Sequence, residues 1–538
     1  MRGTGTHRTT PPGTALLLAL TFCAGFAMMA IEITATRLLA PFFGSTTYLW
    51  TNVIAAIMAA LAAGYYLGGR LADRQPSGRL AGLLATGAGV LGLALPDAAR
   101  GLARVLLPGT ASDPAAIPAT VPASLLVALL VFAPPVFLLG MLNPLLVKLL
   151  AFRREVGWAA GANAAASTLG AILGTFSPTL WLVPWIGSRK TVLACVFPVL
   201  VLGALLALRA GARKSTAVAL LAALAAIALM AGPRRPVLPG PDLVAEDETA
   251  YQYVRVERRG EALALTIDGM HGSAQSVLVP GRYLTGGTIY DQLATVPLLL
   301  DRPAGTRLDV LVLGFGAGTL ARQLVHFYGE HYDLHVDGVE IDPGLLAIGR
   351  RHLATAALDP ERVRVHVQDA RLWLTVTDRT YDLVVLDVFA RRALVPFHLV
   401  TREFFSLVRA HMRPGGLLAM NFVLPSSDSR LFRCLHRTLA DALGHVAWYR
   451  VSATMNVVLL ASPQAALEPG RGKHALEMLA ARGWRKISEA PVLAKLARHG
   501  WRHLVLDATV PLVPPLTDDL APVEVLFLDD VHRSMAGR

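Results

Sequence analysis

Residues 308–343 read LDVLVLGFGAGTLARQLVHFYGEHYDLHVDGVEIDP, and this run decides the fold. It opens with an apolar stretch, 308–313, short enough for a buried parallel strand. A glycine turn follows at Gly314, Gly316 and Gly318. A helical pattern over 319–327 leads to a second strand, 334–339, which ends in Glu340. Strand, glycine turn, helix, strand and acid in that order make a nucleotide-binding βαβ unit. The glycines let the backbone approach a ligand that a Cβ would push away. Glu340 falls about 20 residues on, where a carboxylate accepts hydrogen bonds from both ribose hydroxyls. A dinucleotide fingerprint would carry glycine at 319, and the chain has Thr319. The GxGxG pattern is the one S-adenosylmethionine-type sites use, since such a ligand has no pyrophosphate to seat on a helix N-terminus. The plain alternative is an α/β turn with no ligand.

Outward from this unit the alternation continues. Helices are predicted at 343–353, 371–376, 399–411 and 431–443, and strands at 363–367, 381–386 and 417–422. Pro414-Gly415-Gly416 stops the third of those helices, and 445–451 with 456–461 reads as a closing antiparallel pair. Ligands in open α/β sheets bind at the carboxyl ends of the strands. Gly316, Glu340, Asp369 and Asp387 each follow or end a successive strand, so four positions converge on one rim. There Asp369 can accept from an adenine amine, and Ala370 leaves room for the ring. Asp387 lies beyond the sugar, where a carboxylate can orient an amine nucleophile and take its proton. Its bland role is to cap the loop 388–395. Upstream, 251–257, 262–267 and 275–279 form a small antiparallel sheet with turns at Arg259-Gly260 and Asp268-Gly269, and 287–299 reads as a helix.

Composition divides the 538 residues in two. Hydrophobic residues are 54% of the chain and mean hydropathy is +0.49, too apolar for an ordinary soluble protein. The excess lies before about residue 232, ahead of a PRRPVLPGP linker, so a multi-span helical membrane domain (1–232) precedes a linker and small β-sheet (233–300), a Rossmann-like domain (301–462) and a C-terminal extension (463–538). The net charge of +12 does not imply nucleic acid, because the arginines are scattered and no basic helix interleaves aromatics. Cys23, Cys195 and Cys434 are far apart, so no disulfide framework, metal or redox motif is expected.

Seven apolar stretches are long enough to span, near 14–39, 48–69, 80–96, 122–147, 158–186, 191–208 and 215–232. The first is too long for a cleaved signal peptide and lacks a cleavage-like end. The fifth is interrupted by Gly170, Gly174, Pro178 and Pro184, which suggests a kink or a partly re-entrant segment. Arg2 and Arg8, the Arg70–Arg79 loop, Lys148 to Arg154, and Arg209 to Lys214 all fall on one side if the N-terminus is cytoplasmic. Seven spans would then put the soluble half outside. A domain built for a cytosolic nucleotide belongs on the cytoplasmic side of a bacterial inner membrane, so either the span count is off by one, with 158–186 the span to question, or the domain is outside and its ligand is unusual. Glu32 stands inside the first span, where an ionisable group is costly and points to function. Its bland role is a packing pair with Arg37, Asn52, Asn143 or Asn163.

The run GxGxG, VEIDP, QDA, YDLVVLD, TREFF and RPGG, with IDGMHGSAQS and IYDQLATVPLLLDRP upstream, resembles the spermidine synthase (polyamine aminopropyltransferase) family. PFFGS at 41–45, GYYLGGRLADR at 64–74, STLGAILGT at 167–175 and LTDDLAPVE at 516–524 are similar to its membrane-fused bacterial members. The resemblance implies an N-terminal β-sheet, a methyltransferase-like domain and decarboxylated S-adenosylmethionine, or a relative, as donor. It places Gln275 and Tyr290 near the donor's tail or an amine acceptor, and makes Asp387 the acid–base residue. Two positions depart from the family pattern. Ala317 stands where an aspartate usually holds the aminopropyl ammonium. The loop Val388-Phe389-Ala390-Arg391-Arg392 lacks the usual second aspartate. Like charge disfavours a cation there, unless Asp518, Asp519 or Glu524 folds back. The expectation is therefore a membrane-anchored aminopropyltransferase with an altered acceptor, no metal and a homodimer as an open arrangement. Alternatives are a methyltransferase for a membrane-associated acceptor, and a non-catalytic nucleotide-sensing transporter.

Overall fold

The computed structural model describes residues 12–44, 46–106, 117–233, 236–268, 274–300, 302–389, 394–424, 429–451, 455–464 and 513–536. The chain divides into two compact units, one built from its first 239 residues and one from the rest, apart from short exchanges near 112–118 and 240–253.

Among the described residues of the first unit, six helices are long and apolar enough to cross a membrane. They are α1 (Thr14–Phe43), α2 (Thr47–Arg74), α3 (Gly78–Leu106), the pair α4 (Ile117–Val127) and α5 (Ala133–Ala151), the pair α6 (Val156–Ser177) and α7 (Val183–Arg209), and α8 (Arg213–Ala231). The α6–α7 segment runs 54 residues and covers both the fifth and sixth expected spans. Within it Gly187 leaves helical geometry at φ 79°, which breaks a rod otherwise over twice the thickness of a hydrocarbon core of about 30 Å. Each helix pair is joined by a π turn, Ala128–Phe132 or Pro178–Leu182. Pro134 and Pro184 follow closely, and their rings clash with carbonyls one turn earlier, which the wider turn relieves. The glycines of α6 serve packing instead: a Cβ on Gly170 or Gly174 would fall 2.0 or 2.2 Å from the carbonyl oxygens of Phe22 and Phe26 in α1. The third span runs past its expected end at 96, since Pro96 sits inside α3. Arg70 lies over Tyr66 at 4.5 Å and Arg154 over Trp158 at 5.4 Å, both aromatic rings exposed as in an interfacial belt. The expected partners of Glu32 are engaged elsewhere. Asn163 links Thr21 and Asn143, Asn52 bonds Val121 and Ser124, and Arg37 bonds the Ala250 carbonyl.

The second unit holds two sheets. The smaller is antiparallel, β1 (Leu243–Glu248), β2 (Tyr253–Arg259), β3 (Ala262–Ile267) and β4 (Ser276–Leu278), in that order. β1 was not expected from the sequence, because LVAEDE neither alternates nor buries a face. The predicted helix over 287–299 is instead a short helix α9 (Ile289–Leu293) and a 3₁₀ turn (Val296–Leu299). Pro297, lacking an N–H, cannot continue a helix.

The larger sheet contains β5 (Arg307–Leu313), β6 (Asp333–Glu340), β7 (Val363–Val367), β8 (Tyr381–Leu386), β9 (Met412–Val423), β10 (His445–Arg450) and β11 (Asn456–Ser462), in the order β10-β11-β9-β8-β5-β6-β7. The five strands from β5 to β9 are parallel, while β11 and β10 close the edge antiparallel. Helices α10 (Thr319–Tyr328), α11 (Pro343–His352), α12 (Ala370–Val376), α13 (Arg402–Ala410) and α14 (Arg430–Leu443) lie between strands, and α15 (Val523–Ala536) follows. Pro414-Gly415-Gly416 belongs to β9 and does not precede it. α13 starts late because Thr401 caps it, after a 3₁₀ turn at Phe397–Leu399. Strand order reverses direction at β5, with β6 on one side and β8 on the other, so a crevice opens at their carboxyl ends.

Candidate active site

That crevice is framed by two chain reversals. After β5, Gly314 and Phe315 donate to the Val339 carbonyl at 3.0 and 3.1 Å; after β8, Asp387 donates its N–H to the Leu313 carbonyl at 2.8 Å. Gly314 has φ 85°, and a Cβ there would lie 2.3 Å from the Asp387 carbonyl oxygen. Only glycine lets the two turns touch.

Glu340 ends β6 and turns back to the glycine turn. It accepts from the Gly316 N–H at 2.9 Å and the Asp342 N–H at 3.1 Å. Burial pushes its pKa up to about 7, against the pull of those backbone N–H groups. A carboxylate has about four acceptor positions, so these backbone bonds do not exhaust it. The glycine turn is braced from the small sheet by Ser276, whose Oγ accepts from the Ala317 N–H at 2.8 Å. Gln275 donates its N–H to Leu265, and its carbonyl oxygen lies 3.1 Å from the ideal Cβ position of Gly316. Thus Gly314, Gly316, Gln275 and Glu340 meet at one place, while Gly318 faces Leu358 and the Phe315 ring.

At the end of β7, Asp369 caps α12 through the N–H groups of Arg371 and Leu372, at 2.9 and 3.0 Å. Its second oxygen is 3.5 Å from His398 Nε2. Ala370 is buried behind it.

Asp387 is half-buried, and its pKa is pushed up to about 6 by desolvation, opposed by one hydrogen bond. That bond comes from Asn421 Nδ2 on β9, at 2.8 Å to Asp387 Oδ1. Asn421 Oδ1 in turn accepts from Asn456 Nδ2 on β11 at 2.9 Å, which fixes which way the Asn421 amide faces. Neither asparagine was singled out from sequence, since only the register of β9 and β11 brings them to Asp387. Tyr290, in α9, donates to the Ala274 carbonyl at 3.1 Å. Burial, then the neighbouring Asp387, raises the Tyr290 hydroxyl well above its ordinary range. Asp291 beside it is fully buried and accepts from Thr285, Gly287 and Gln323, which ties the preceding loop to α10.

The family description "Methyltransferase domain" matches residues 310–416. The "Probable polyamine aminopropyl transferase" of Bifidobacterium longum is 27% identical over 301 residues, covering 55% of this chain and 64% of that protein. The "Polyamine aminopropyltransferase 2" of Streptomyces coelicolor is 29% identical over 366 residues, 64% of this chain and 63% of its relative. The chain is similar to polyamine aminopropyltransferases. It matches just under two thirds of the length of those two relatives. Among solved structures it is similar to a probable spermidine synthase from Corynebacterium glutamicum, with a TM-score of 0.38 and 22% identity, covering 50% of this chain and 99% of the other.

The Ala317 side chain is buried in an apolar cluster with Val254, Leu265, Leu345 and Ile348. Ala390, Arg391 and Arg392 lie outside the described residues. Of the tail acids expected to fold back, Asp518 is committed to Arg371, at 2.8 Å to Nη1, and to the Thr401 hydroxyl at 2.7 Å. Asp519 is exposed.

Proposed function

We propose that the soluble half is an aminopropyltransferase of the spermidine synthase type, fused to a multi-pass membrane unit, with decarboxylated S-adenosylmethionine as donor and an amine as acceptor. The observation that carries this reading is the half-buried Asp387, hydrogen-bonded by Asn421 and beside Tyr290 at the β5–β8 crevice. Glu340 would hold the ribose and Asp369 the adenine amine, with Gly314, Gly316, Gly318, Ala370 and Gln275 shaping the walls. The acceptor nitrogen attacks the methylene carbon bonded to the sulfonium. The carbon–sulfur bond breaks and its electron pair goes to sulfur, leaving a thioether. Asp387 takes the proton that the new ammonium releases. Tyr290, held against Ala274, would orient the amine. Ala317 and the two loop arginines argue for an acceptor other than a simple polyamine. Calorimetry with both donors tests this: tight binding of the decarboxylated form supports aminopropyl transfer. Binding of S-adenosylmethionine alone supports the second reading, methyl transfer to a membrane-associated acceptor, which the matched methyltransferase description favours.

For location, a cytosolic donor favours a cytoplasmic soluble half in the inner membrane. One observation favours the opposite face. Lys190 Nζ bonds the Gly232 carbonyl at 2.7 Å, so the chain leaves the membrane unit at the α7 end near the Asp97–Arg189 pair. The Lys148–Asp73 pair and most loop arginines sit where α2 ends and α6 begins. A reporter fused after residue 538, active only on one side, decides between them.

A further inference from the structure

Glu32 lies well inside α1, the apolar first helix, and is only 8% exposed. Its Oε2 is sealed from solvent with no hydrogen-bond partner. Thr21, Gly25, Met28 and Glu32 recur at spacings of four, three and four, which puts them on one face of α1. The first three line a small cavity where four helices meet, together with Tyr65 of α2, Asn143 of α5 and Ser167 of α6. Its volume of about 20 Å³ exceeds the roughly 10–15 Å³ that one water needs. Asn163 extends the polar lining, accepting from Thr21 Oγ1 at 2.8 Å and donating to Asn143 Oδ1 at 2.6 Å.

The charges on the elements packed against α1 are mostly satisfied by one another. Asp73 of α2 pairs with Lys148 of α5, and Asp97 of α3 with Arg189 of α7. α6 carries no ionisable side chain, and Arg100 of α3 is buried with contacts of its own. An ionised carboxylate left alone at membrane depth is costly, and such groups recur on proton pathways. A carboxyl with an open acceptor oxygen, one helical turn below a water-sized polar cavity, has the chemistry to take up and release a proton.

We propose that Glu32 is a proton-binding site of the membrane unit, loaded and unloaded through the four-helix polar junction, so that this unit moves protons as well as holding the chain in the bilayer. In the step a proton from water bonds to Oε2 and leaves the carboxyl neutral; on release it returns to water, and no other bond changes. The inference does not depend on the reaction of the soluble half. Two measurements on the full chain in liposomes test it. Dicyclohexylcarbodiimide, which reacts with protonated carboxyls in apolar surroundings, is followed by mass spectrometry of the α1 peptide. An adduct at Glu32 that fades as pH rises is expected. An internal pH dye then reports proton flux under a potassium diffusion potential: wild type conducts, Glu32→Gln loses the flux and Glu32→Asp keeps it. A thermal unfolding profile and gel-filtration peak in detergent that match wild type certify that Glu32→Gln is folded; if they do not, labelling of Glu32→Asp decides in its place. No adduct at any pH, or equal flux in wild type and folded Glu32→Gln, overturns the proposal.

Discussion

Binding of the donor should release protons. Burial holds Glu340 up to about 7 and Asp387 up to about 6. At pH 6.5 two such groups together carry about one proton, roughly three quarters of it on Glu340 and one quarter on Asp387. A carboxylate that accepts from two ribose hydroxyls must be ionised, and a sulfonium beside Asp387 lowers its pKa. The complex therefore sheds close to one proton at pH 6.5 and far less at pH 8.5, where both groups are already ionised. Calorimetry in two buffers of different ionisation enthalpy reads this directly, as a buffer-dependent binding enthalpy. In Glu340→Gln most of the release should vanish, and affinity should fall by about 1.5–3 kcal/mol for a hydrogen bond to a charged group. Equal enthalpies in both buffers at pH 6.5 would refute the reasoning. The same shifts have a stability sign. Both folded pKa values lie above the unfolded ones, so ionisation destabilises the ligand-free fold, and thermal stability should fall as pH rises through 5 to 7.

Three further outcomes follow from the geometry. Asn421→Ala removes a hydrogen bond to Asp387 worth about 1.5–3 kcal/mol, so the acid limb of kcat/KM should move up by about 1–2 pH units; an unmoved limb denies Asp387 the role of base. Gly314→Ala adds a Cβ 2.3 Å from the Asp387 carbonyl at φ 85°, and donor binding by calorimetry should drop by more than the roughly 1–2 kcal/mol that the backbone conformation alone costs. Asp530 of α15 accepts from Ser429, Arg430 and Leu431 at the start of α14, so Asp530→Ala should lower the denaturation midpoint with a loss of about 1–3 kcal/mol, while donor affinity stays as in wild type.

Much of the nucleotide domain was legible because its central strands are buried on both faces and punctuated sharply. Val363–Val367 and Tyr381–Leu386 fall where the apolar runs put them, and the helix after the glycine turn ends one residue later than expected, at Tyr328. Glu340 and Asp387 were readable because a polar residue ending a buried strand has few other reasons to be there. What failed were places where tertiary contact overrides local pattern. β1 pairs with β2 despite its acidic, half-exposed sequence, and β9 runs through Pro414-Gly415-Gly416 beside β8. Asn421 and Asn456 sit 35 residues apart, and nothing local marks either as a support of Asp387. In the helical unit, proline positions suggested breaks, whereas the bend falls at Gly187 and the prolines are absorbed by π turns.

The central claim is that the β5–β8 crevice holds an adenosine-bearing sulfonium and that Asp387 deprotonates an amine attacking it. The most direct measurement is chromatography of the nucleoside left after incubating the full chain with decarboxylated S-adenosylmethionine and a panel of amines, beside Asp387→Asn. The account predicts 5′-methylthioadenosine from the wild type and at least a hundredfold less from the variant, within the roughly 10²–10⁴-fold range of general-base catalysis. Equal product from both proteins, or none with any amine despite tight donor binding, would contradict it.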